Sequence, residues 1–392
     1  MYEKPLNNMS LCVGFLSHWD FNLYKFRLPI MLSLIERGYK VYAICPKGDM
    51  NKLLESYGVA IVNYEINRQS LNPFVELKNI DNIYQAINNL NLSMIHTFGA
   101  KPNIYGTFSA RRAKVPVILN LVEGLGSFYT SNTFKVRLVR WIMERLYTKI
   151  FKMSDGCVFV NTSDPQYMID NNIIGAKKVN IIKSVGIDTK KNNIACYNFS
   201  KLDSIRSNLN VKNNLVVLMV ARAIKDKGVK EFYEAASIIV NKQKDVEFIL
   251  IGGTDEGNHT NINKDFLLQG CVRWLDHRDD VIDIMAISDI CVLPSYREGL
   301  PMTLLEACAM SKPIVATNTY GCRDVVTDAV NGFLVPTKNA QALSEKIEML
   351  LNDKNLRASM GTKGRELAVS EFDINIVNNK YMQYYDSFLK KL

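Results

Sequence analysis

Short apolar segments alternate with helix-length amphipathic segments along almost the whole chain, and this alternation restricts the fold strongly. In the first half of the sequence the apolar segments that we expect to form strands are 11–17, 41–45, 60–64, 94–97, 117–120, 157–160 and 179–182. Helical patterns lie between them, at 24–37, 72–90 and 134–152. Because β and α segments at this spacing form parallel sheets covered by helices on both faces, the sequence predicts an α/β fold.

The alternation pauses at residues 189–212, which are polar and rich in Asn and Lys, and then resumes. The later strands are predicted at 215–220, 246–251, 290–293, 314–316 and 332–335, with helices at 229–241, 281–286 and 303–310. With 392 residues, 47% of them hydrophobic, the chain can bury two cores. We therefore predict two doubly wound domains, 1–190 and 191–370, followed by a helix at 371–392. Ligands bind at the carboxyl ends of such sheets, in a cleft.

Two glutamates frame the most specific motif, which covers 294–307 and follows the strand predicted at 290–293. A Gly-Leu-Pro turn opens a helix there, and the unpaired N–H groups of its first turn suit a diphosphate. Glu298 can contact a sugar hydroxyl or its developing positive charge, and Glu306 can accept hydrogen bonds from two ribose hydroxyls. The alternative is that both are solvated acids, but their arrangement at a strand-to-helix junction favours binding. The residues of the turn and helix start are Gly299, Leu300, Pro301, Met302 and Thr303.

A basic loop follows the first strand of the second domain. Arg222 and Lys227 lie there before a predicted helix. Lys225, which we expect to be exposed, is the alternative lysine of this loop. A guanidinium fork and a lysine charge suit a diphosphate leaving group, whose negative charge they stabilise as the bond to the sugar breaks. The alternative is a basic loop that serves solubility.

Together these motifs resemble the retaining family-4 glycosyltransferases of GT-B fold, over nearly the whole chain. The paired glutamates have seven residues between them, and Arg222 and Lys227 look like the diphosphate clamp of that family. Residues 321–326 are similar to a family loop that usually reads Gly-Gly-x-x-Glu, from which Cys322 and Asp324 depart. The resemblance implies two Rossmann-like domains facing each other across a cleft, with the donor bound by the second domain and the acceptor by the first. It also implies a nucleotide-sugar co-substrate, no metal or other cofactor, and a terminal helix that returns to the first domain.

Five segments carry a closer resemblance to enzymes that build lipid-linked oligosaccharides: 15–18, 70–75, 121–129, 182–187 and 229–234. This implies transfer of a hexose or N-acetylhexosamine to an undecaprenyl-diphosphate-linked sugar, in the assembly of a bacterial surface glycan or glycoprotein glycan. The favoured donor is UDP-GalNAc, and UDP-GlcNAc, UDP-Gal and UDP-Glc are the alternatives.

The expected acceptor site departs from the family pattern. Many members have a Gly-rich loop after the first strand, where this chain has no glycine and offers His18, Asp20 and Asn22. Many also have a histidine after the strand at 117–120, where this chain has Glu123 followed by Gly124. Glu123 is therefore a candidate catalytic residue, either as a base toward the acceptor hydroxyl or as a group that orients it. Alternatively it bonds the backbone of its own glycine turn.

Excess positive charge is confined to the first domain. Residues 1–190 contain 23 Lys and Arg against 14 Asp and Glu, whereas the remaining residues balance. Nucleic acid, an anionic membrane, a phosphorylated substrate or a solubility surface can each explain such a charge. The segment 132–152 is basic and aromatic-rich and is typical of a helix that lies on an anionic leaflet, although a helix packed on the sheet with its basic side chains outward is the alternative. We expect peripheral association with the cytoplasmic face of the inner membrane.

The cysteines and histidines argue against a metal centre. None of the eight cysteines forms a Cys-x-x-Cys pair, several lie in apolar segments, and there are only four histidines. We interpret the cysteines as reduced thiols of a cytoplasmic protein and expect no metal site. The N-terminus lacks a signal-peptide cleavage pattern, and no apolar segment approaches the length of a membrane span.

Three other functions are the alternatives to sugar transfer. A nicotinamide-dependent dehydrogenase needs a Gly-x-Gly-x-x-Gly turn after the first strand, which is missing here. A nucleic-acid binder explains the charge but leaves Glu298 and Glu306 unexplained, and no stacking motif supports it. A sugar-nucleotide 2-epimerase of the same fold is the main enzymatic alternative, although it does not need a basic first domain.

Overall fold

Two parallel sheets organise the chain in a computed structural model that describes residues 11–67, 72–126, 129, 133–183, 185–211, 214–242, 245–258 and 260–392. These residues divide into two compact units. The first unit contains the described residues of Met1–Phe128, Asn132–Val185 and Val377–Leu392, and the second those of Tyr129–Ser131 and Gly186–Ile376. Parts of the segments 70–75, 121–129 and 182–187, on which the closer resemblance rests, lie outside the described residues.

The sheet of the first unit consists of β1 (Cys12–Ser17), β2 (Lys40–Cys45), β3 (Ala60–Asn63), β4 (Met94–Phe98), β5 (Val117–Val122), β6 (Gly156–Phe159) and β7 (Val179–Ile181). The strands are parallel in the order β3-β2-β1-β4-β5-β6-β7. The helices between them are α1 (Asp20–Glu36), α2 (Asn51–Ser56), α3 (Pro73–Ile87), α4 (Ala100–Arg112), α5 (Phe134–Met153) and α6 (Ser163–Asp170). Every residue of β4 and β5 is buried, as expected for central strands covered on both faces.

The sheet of the second unit consists of β8 (Leu215–Val220), β9 (Val246–Ile251), β10 (Val272–Leu275), β11 (Ile290–Leu293), β12 (Ile314–Thr317) and β13 (Gly332–Val335). It is also parallel, in the order β10-β9-β8-β11-β12-β13. Its helices are α7 (Phe199–Asn208), α8 (Val229–Val240), α9 (Lys264–Leu267), α10 (Val281–Ile287), α11 (Met302–Ala309), α12 (Ala340–Asn352) and α13 (Lys354–Glu371), and the chain ends with α14 (Ile374–Leu389). One apolar core surrounds Phe232 and Phe248, and a second surrounds Ile249 and Leu305.

Each sheet reverses its strand order at one point. In the first unit β1 lies between β2 and β4, and in the second unit β8 lies between β9 and β11. The loops after β1 and β4, and those after β8 and β11, leave in opposite directions and open a crevice at the carboxyl ends of the strands. Both predicted binding regions begin at these loops.

The prediction of two parallel α/β sheets is confirmed, but some elements escaped it. Strand β10 was not predicted because only four residues form it, at the edge of the sheet, and three of them are half-exposed. Helix α4 is buried over most of its surface and therefore shows no amphipathic period. Helix α7 lies in the segment 189–212, which the sequence suggested as a boundary, and it buries no residue. Its signal is the capping residue Asn198, which accepts the N–H of Lys201.

Candidate active site

In the second unit, a lysine and a glutamate from different loops form an ion pair. Lys227 ends a short 3-10 helix after β8, and Glu298 lies on the loop after β11. Lys227 Nζ is 2.5 Å from Glu298 Oε1, and both side chains are largely buried. The next residue, Gly228, has φ 73°, and a Cβ there would lie 2.1 Å from the carbonyl oxygen of Pro294. Only glycine allows this close approach of the two loops, which holds the ion pair at the point where the strand order reverses.

Arg222 has a different partner from the one expected. It lies two residues beyond β8, but its Nη1 donates to Asp255 Oδ2 at 2.5 Å, and Asp255 belongs to the loop after β9. The arginine side chain is 62% exposed. Asn258 donates to the same carboxylate oxygen at 3.0 Å. The structure therefore brings Lys227 but not Arg222 to Glu298, while Arg222 remains at the same sheet edge.

The Gly-Leu-Pro turn leads into α11 as predicted. Pro301 is the capping residue, and Met302 and Thr303 form the first turn with half-buried side chains. Glu306 is half-buried one turn further along the helix. The first-turn N–H groups thus lie next in the chain to the loop that carries Glu298, an arrangement suited to an anion beside a sugar.

The loop that contains Gly321 packs directly on the glutamate turn. Gly321 has φ 77°, and a Cβ there would lie 2.5 Å from the carbonyl oxygen of Gly299 and 2.8 Å from that of Glu298. The N–H of Glu298 donates to the carbonyl of Tyr320 at 3.2 Å. Cys322, a departure from the family pattern, is buried, and burial raises the pKa of its thiol. This loop supports the backbone that carries Glu298, a role that the sequence did not reveal.

Tyr296 joins the loops after β8 and β11. Its N–H donates to the carbonyl of Asp226 at 2.8 Å, and its hydroxyl donates to Glu231 Oε1 at 2.6 Å. Because Asp226 lies beside Lys227, these bonds fix the lysine loop relative to the glutamate loop.

In the first unit, Glu123 follows β5 and is held by helix α1. Arg27 Nη2 donates to Glu123 Oε1 at very short range, and Asn22 Nδ2 donates to the same oxygen at 3.3 Å. The predicted acceptor residues Asn22 and Glu123 are therefore in contact, and neither bond goes to the glycine turn of Glu123. The following residue, Gly124, has φ 143°.

His18 borders an open cavity of about 1060 Å³ beside α3 and α4. Its ring lies against Gly99, where a Cβ would be 3.1 Å from His18 Cε1. The polar residues that line the cavity include Glu65, Asn67, Lys78, Asn79, Asn82 and Lys101. Amides, carboxylates and ammonium groups of this kind are suited to sugar hydroxyls and anions.

Asp20 is placed differently from the other predicted acceptor residues. Its carboxylate accepts the N–H of Phe21 at 2.9 Å and the N–H of Met50 at 2.8 Å, and the residue is buried. A Cβ on Gly48 would lie 2.2 Å from Asp20 Oδ2. The geometry therefore favours a structural role for Asp20 at the start of α1.

His96, the middle residue of β4, is also buried. Its Nδ1 lies 2.6 Å from the hydroxyl of Tyr385 on α14. Burial, with the charge of Arg27 as a second cause, lowers the pKa of His96 well below its ordinary value of 6.5. A neutral, buried imidazole bonded to a tyrosine is typical of a core residue.

The described residues contain neither a metal-binding cluster nor a membrane-spanning helix. No group of three or more His, Cys, Asp or Glu side chains among them is placed to hold a metal ion. No helix in the described part of the chain has the length and apolar character needed to cross a bilayer.

Comparison with known proteins agrees with this geometry. Residues 200–367 match the family described as Glycosyl transferases group 1, and residues 14–156 match that described as Glycosyl transferase 4-like. The N,N'-diacetylbacillosaminyl-diphospho-undecaprenol alpha-1,3-N-acetylgalactosaminyltransferase of Campylobacter jejuni is 40% identical over 97% of this chain and 100% of its own. The UDP-Gal:alpha-D-GlcNAc-diphosphoundecaprenol alpha-1,3-galactosyltransferase of Escherichia coli is 27% identical over 76% of each chain.

A solved structure shares the fold over the full length. The crystal structure of a glycosyltransferase from Rickettsia africae superposes with a TM-score of 0.80 at 22% identity, covering 98% of this chain and 100% of that one. One conclusion follows from the 40% identity to the Campylobacter jejuni transferase over nearly the whole chain, together with the two family matches and the shared fold. The chain belongs to the family-4 glycosyltransferases of GT-B fold and is an enzyme that transfers sugars.

Proposed function

We propose that this glycosyltransferase moves GalNAc from UDP-GalNAc onto a sugar linked to undecaprenyl diphosphate, with retention of the anomeric configuration. The ion pair between Lys227 and Glu298 carries the proposal. It sets a cation and a hydrogen-bond acceptor side by side at the strand-order reversal of the second unit. A nucleotide-sugar needs this pairing, because its diphosphate and its sugar ring are neighbours. The 40% identity over the full length of the Campylobacter jejuni enzyme supports both the donor and the lipid-linked acceptor.

In the proposed reaction, the bond between C1 of the sugar and the phosphate oxygen breaks, and its electron pair leaves with UDP. Lys227, Arg222 and the N–H groups at the start of α11 stabilise the negative charge that grows on the diphosphate. Arg222 is paired with Asp255 and largely exposed, so it can turn toward the diphosphate by rotating its side chain.

The two glutamates of the motif bind the rest of the donor. Glu298 contacts the sugar, and Glu306 accepts hydrogen bonds from the ribose. The acceptor hydroxyl attacks C1 from the face that the diphosphate leaves, and its proton passes to the departing phosphate oxygen. The new bond from C1 therefore has the same configuration as the old one. No step requires a metal ion, because the cationic side chains and the helix start balance the diphosphate charge.

The first unit is proposed to bind the lipid-linked acceptor. His18 and the polar cavity next to it provide hydrogen-bonding groups for a sugar, and the exposed Lys78 provides positive charge, whereas Lys101 is paired with Glu76 at 2.8 Å. We propose that Glu123, which Asn22 and Arg27 of α1 contact, interacts with the attacking hydroxyl.

Helix α5 is the proposed contact with the membrane. Its C-terminal part packs inward through Tyr147, Ile150 and Phe151, which are buried. Its first half leaves Phe134 81% exposed and Trp141 55% exposed. The same half carries Lys135, Arg137 and Arg140, and Arg145 follows shortly after it. Exposed aromatic side chains among basic ones favour the headgroup region of an anionic leaflet, and they support our proposal that the protein associates peripherally with the cytoplasmic face of the inner membrane.

A donor panel tests the proposal. Purified protein is incubated with UDP-GalNAc, UDP-GlcNAc, UDP-Gal or UDP-Glc and a short-chain polyprenyl-diphosphate-linked N-acetylhexosamine, and the product is analysed by NMR. We expect fastest transfer from UDP-GalNAc and an α linkage. Conversion of a UDP-sugar to its C2 epimer without use of the acceptor would instead support the 2-epimerase alternative.

A further inference from the structure

Arg27 is a charged residue on the buried face of helix α1. Its helical neighbours on that face, Leu23, Ile30 and Met31, are apolar and buried, and this period calls for an apolar residue at position 27. The Arg27 side chain is only 1% exposed, and its guanidinium carbon lies 4.5 Å from the centre of the Phe98 ring. A buried guanidinium destabilises the fold unless it is paired, so its location indicates a specific partner.

That partner is the carboxylate of Glu123. Arg27 Nη2 donates to Glu123 Oε1, and Asn22 Nδ2 donates to the same oxygen. Within the described residues no other carboxylate lies within 4.0 Å of Arg27, and its buried Nε and Nη1 find no hydrogen-bond acceptor there. Glu123 is therefore the carboxylate with which Arg27 pairs among the described residues.

The other polar groups around Arg27 belong to the packed interior. His96 bonds the hydroxyl of Tyr385, and the ring of Tyr381, whose hydroxyl is buried, lies 6.4 Å from the ring of His96. Phe98, over which the guanidinium lies, packs 4.4 Å from the ring of His96, so Arg27 is part of this aromatic cluster.

Only one oxygen of the Glu123 carboxylate is used by these contacts. The side chain is 39% exposed, and Oε2 makes no hydrogen bond to any residue that the structure describes. We propose that Arg27 is a positioning residue, which fixes Oε1 of Glu123 so that Oε2 is aimed to accept a hydrogen bond from the acceptor hydroxyl. This inference depends on the proposed function, because it assigns Glu123 to the acceptor.

Four variants test the positioning role: Arg27→Met, Arg27→Lys, Glu123→Gln and the double variant Arg27→Met/Glu123→Gln. We expect Arg27→Met to lower kcat about 30-fold while KM for UDP-GalNAc stays unchanged, because misplacement of one group by about an ångström costs on this order. Arg27→Lys should restore most of kcat, because it keeps the charge. The double variant should be no slower than Glu123→Gln alone, because both changes act through one carboxylate.

Thermal unfolding of the same variants separates positioning from folding. Glu123→Gln leaves the buried guanidinium without its anion and should lower Tm, whereas the double variant removes both charges and should recover Tm without recovering kcat. Arg37→Met is the matched control, since Arg37 follows α1 directly and forms an exposed pair with Asp386 at 3.1 Å. It should leave kcat and KM unchanged.

Two results would overturn the inference. One is a kcat for Arg27→Met equal to that of the wild type, and the other is a double variant that recovers kcat together with Tm. Absence of any sugar transfer by the wild-type protein would contradict the proposed function instead, so the two failures are distinguishable.

Discussion

Lys227 Nζ lies 2.5 Å from Glu298 Oε1, although 71 residues separate them in the chain. Two loops at neighbouring strand ends create this contact, and Gly228 allows them to approach. The relationship joins the lysine that we propose binds the diphosphate to the glutamate that we propose contacts the sugar.

Replacement of Lys227 should therefore affect catalysis much more than replacement of a nearby lysine. We expect Lys227→Ala to lower kcat about 100-fold, because a charge that stabilises the leaving diphosphate is lost. Lys225→Ala is the control, since Lys225 lies on the same 3-10 helix with an exposed side chain and should change kcat less than about threefold. Steady-state kinetics with UDP-GalNAc measure both. Equal losses of kcat in the two variants would argue against a role of Lys227 at the leaving diphosphate.

Gly321 should be far less replaceable than another glycine with the same backbone angle. Gly321 and Gly270 have φ of 77° and 80°, but a Cβ at Gly270 meets nothing within 4 Å, whereas one at Gly321 strikes the carbonyls of Gly299 and Glu298. Gly270→Ala should cost about 1 kcal/mol from backbone strain alone. Gly321→Ala should cost about 3 kcal/mol because the clash is added, and it should also lower kcat by moving the glutamate turn. Thermal unfolding and turnover check this, and a Gly321→Ala variant as stable and active as Gly270→Ala would contradict it.

His96 should make the stability of the protein fall in mild acid. Burial, and then the charge of Arg27, lower the pKa of His96 well below 6.5, whereas in the unfolded chain it stays near that value. Below about pH 6.5 the unfolded chain therefore binds a proton that the folded protein excludes. The free energy of unfolding falls there by up to about 1.4 kcal/mol per pH unit, and above this pH the group has no effect.

Urea unfolding over a series of pH values measures this slope. His96→Gln, which cannot titrate, should reduce the slope by the amount that His96 contributes. An unchanged slope in His96→Gln would show that His96 is protonated equally in both states.

The exposed aromatic residues of α5 should bring the protein to anionic membranes. Loss of a large apolar side chain from the interface costs about 1.5–3 kcal/mol, so Phe134→Ser should weaken binding to anionic vesicles by about tenfold or more. Phe199→Ser removes an equally exposed phenylalanine, 87% accessible, from the second unit and should have no effect. Co-sedimentation with vesicles measures the binding of both variants. A similar loss of binding in Phe134→Ser and Phe199→Ser would refute a specific role of α5.

The fold was largely predictable because strand period, helix period and loop positions are local properties of the sequence. The elements that escaped prediction lack a clear period of apolar residues. Helix α4, for example, lacks one because it is buried on most sides. Motif spacing predicted that Lys227 and Glu298 lie close together, and the structure shows this contact. The pairing of Arg222 with Asp255 and the support of Glu298 by Gly321 were not predicted, because they join loops that are distant in the chain.

The unusual position of Arg27 is visible in the sequence pattern of α1. It lies three and four residues before Ile30 and Met31 on the apolar face of α1, where a charged residue is out of place. The identity of its partner, Glu123, depends on the order of β1, β4 and β5 in the sheet, and that order becomes clear only in three dimensions.

The most direct test of donor binding in the second unit is the turnover of Glu298→Gln and Arg222→Ala with UDP-GalNAc and a short-chain lipid-linked acceptor. If Glu298 contacts the sugar and Arg222 the leaving diphosphate, each variant should lose about 100-fold or more in kcat while remaining folded. Rates close to the wild type in both variants would contradict the account.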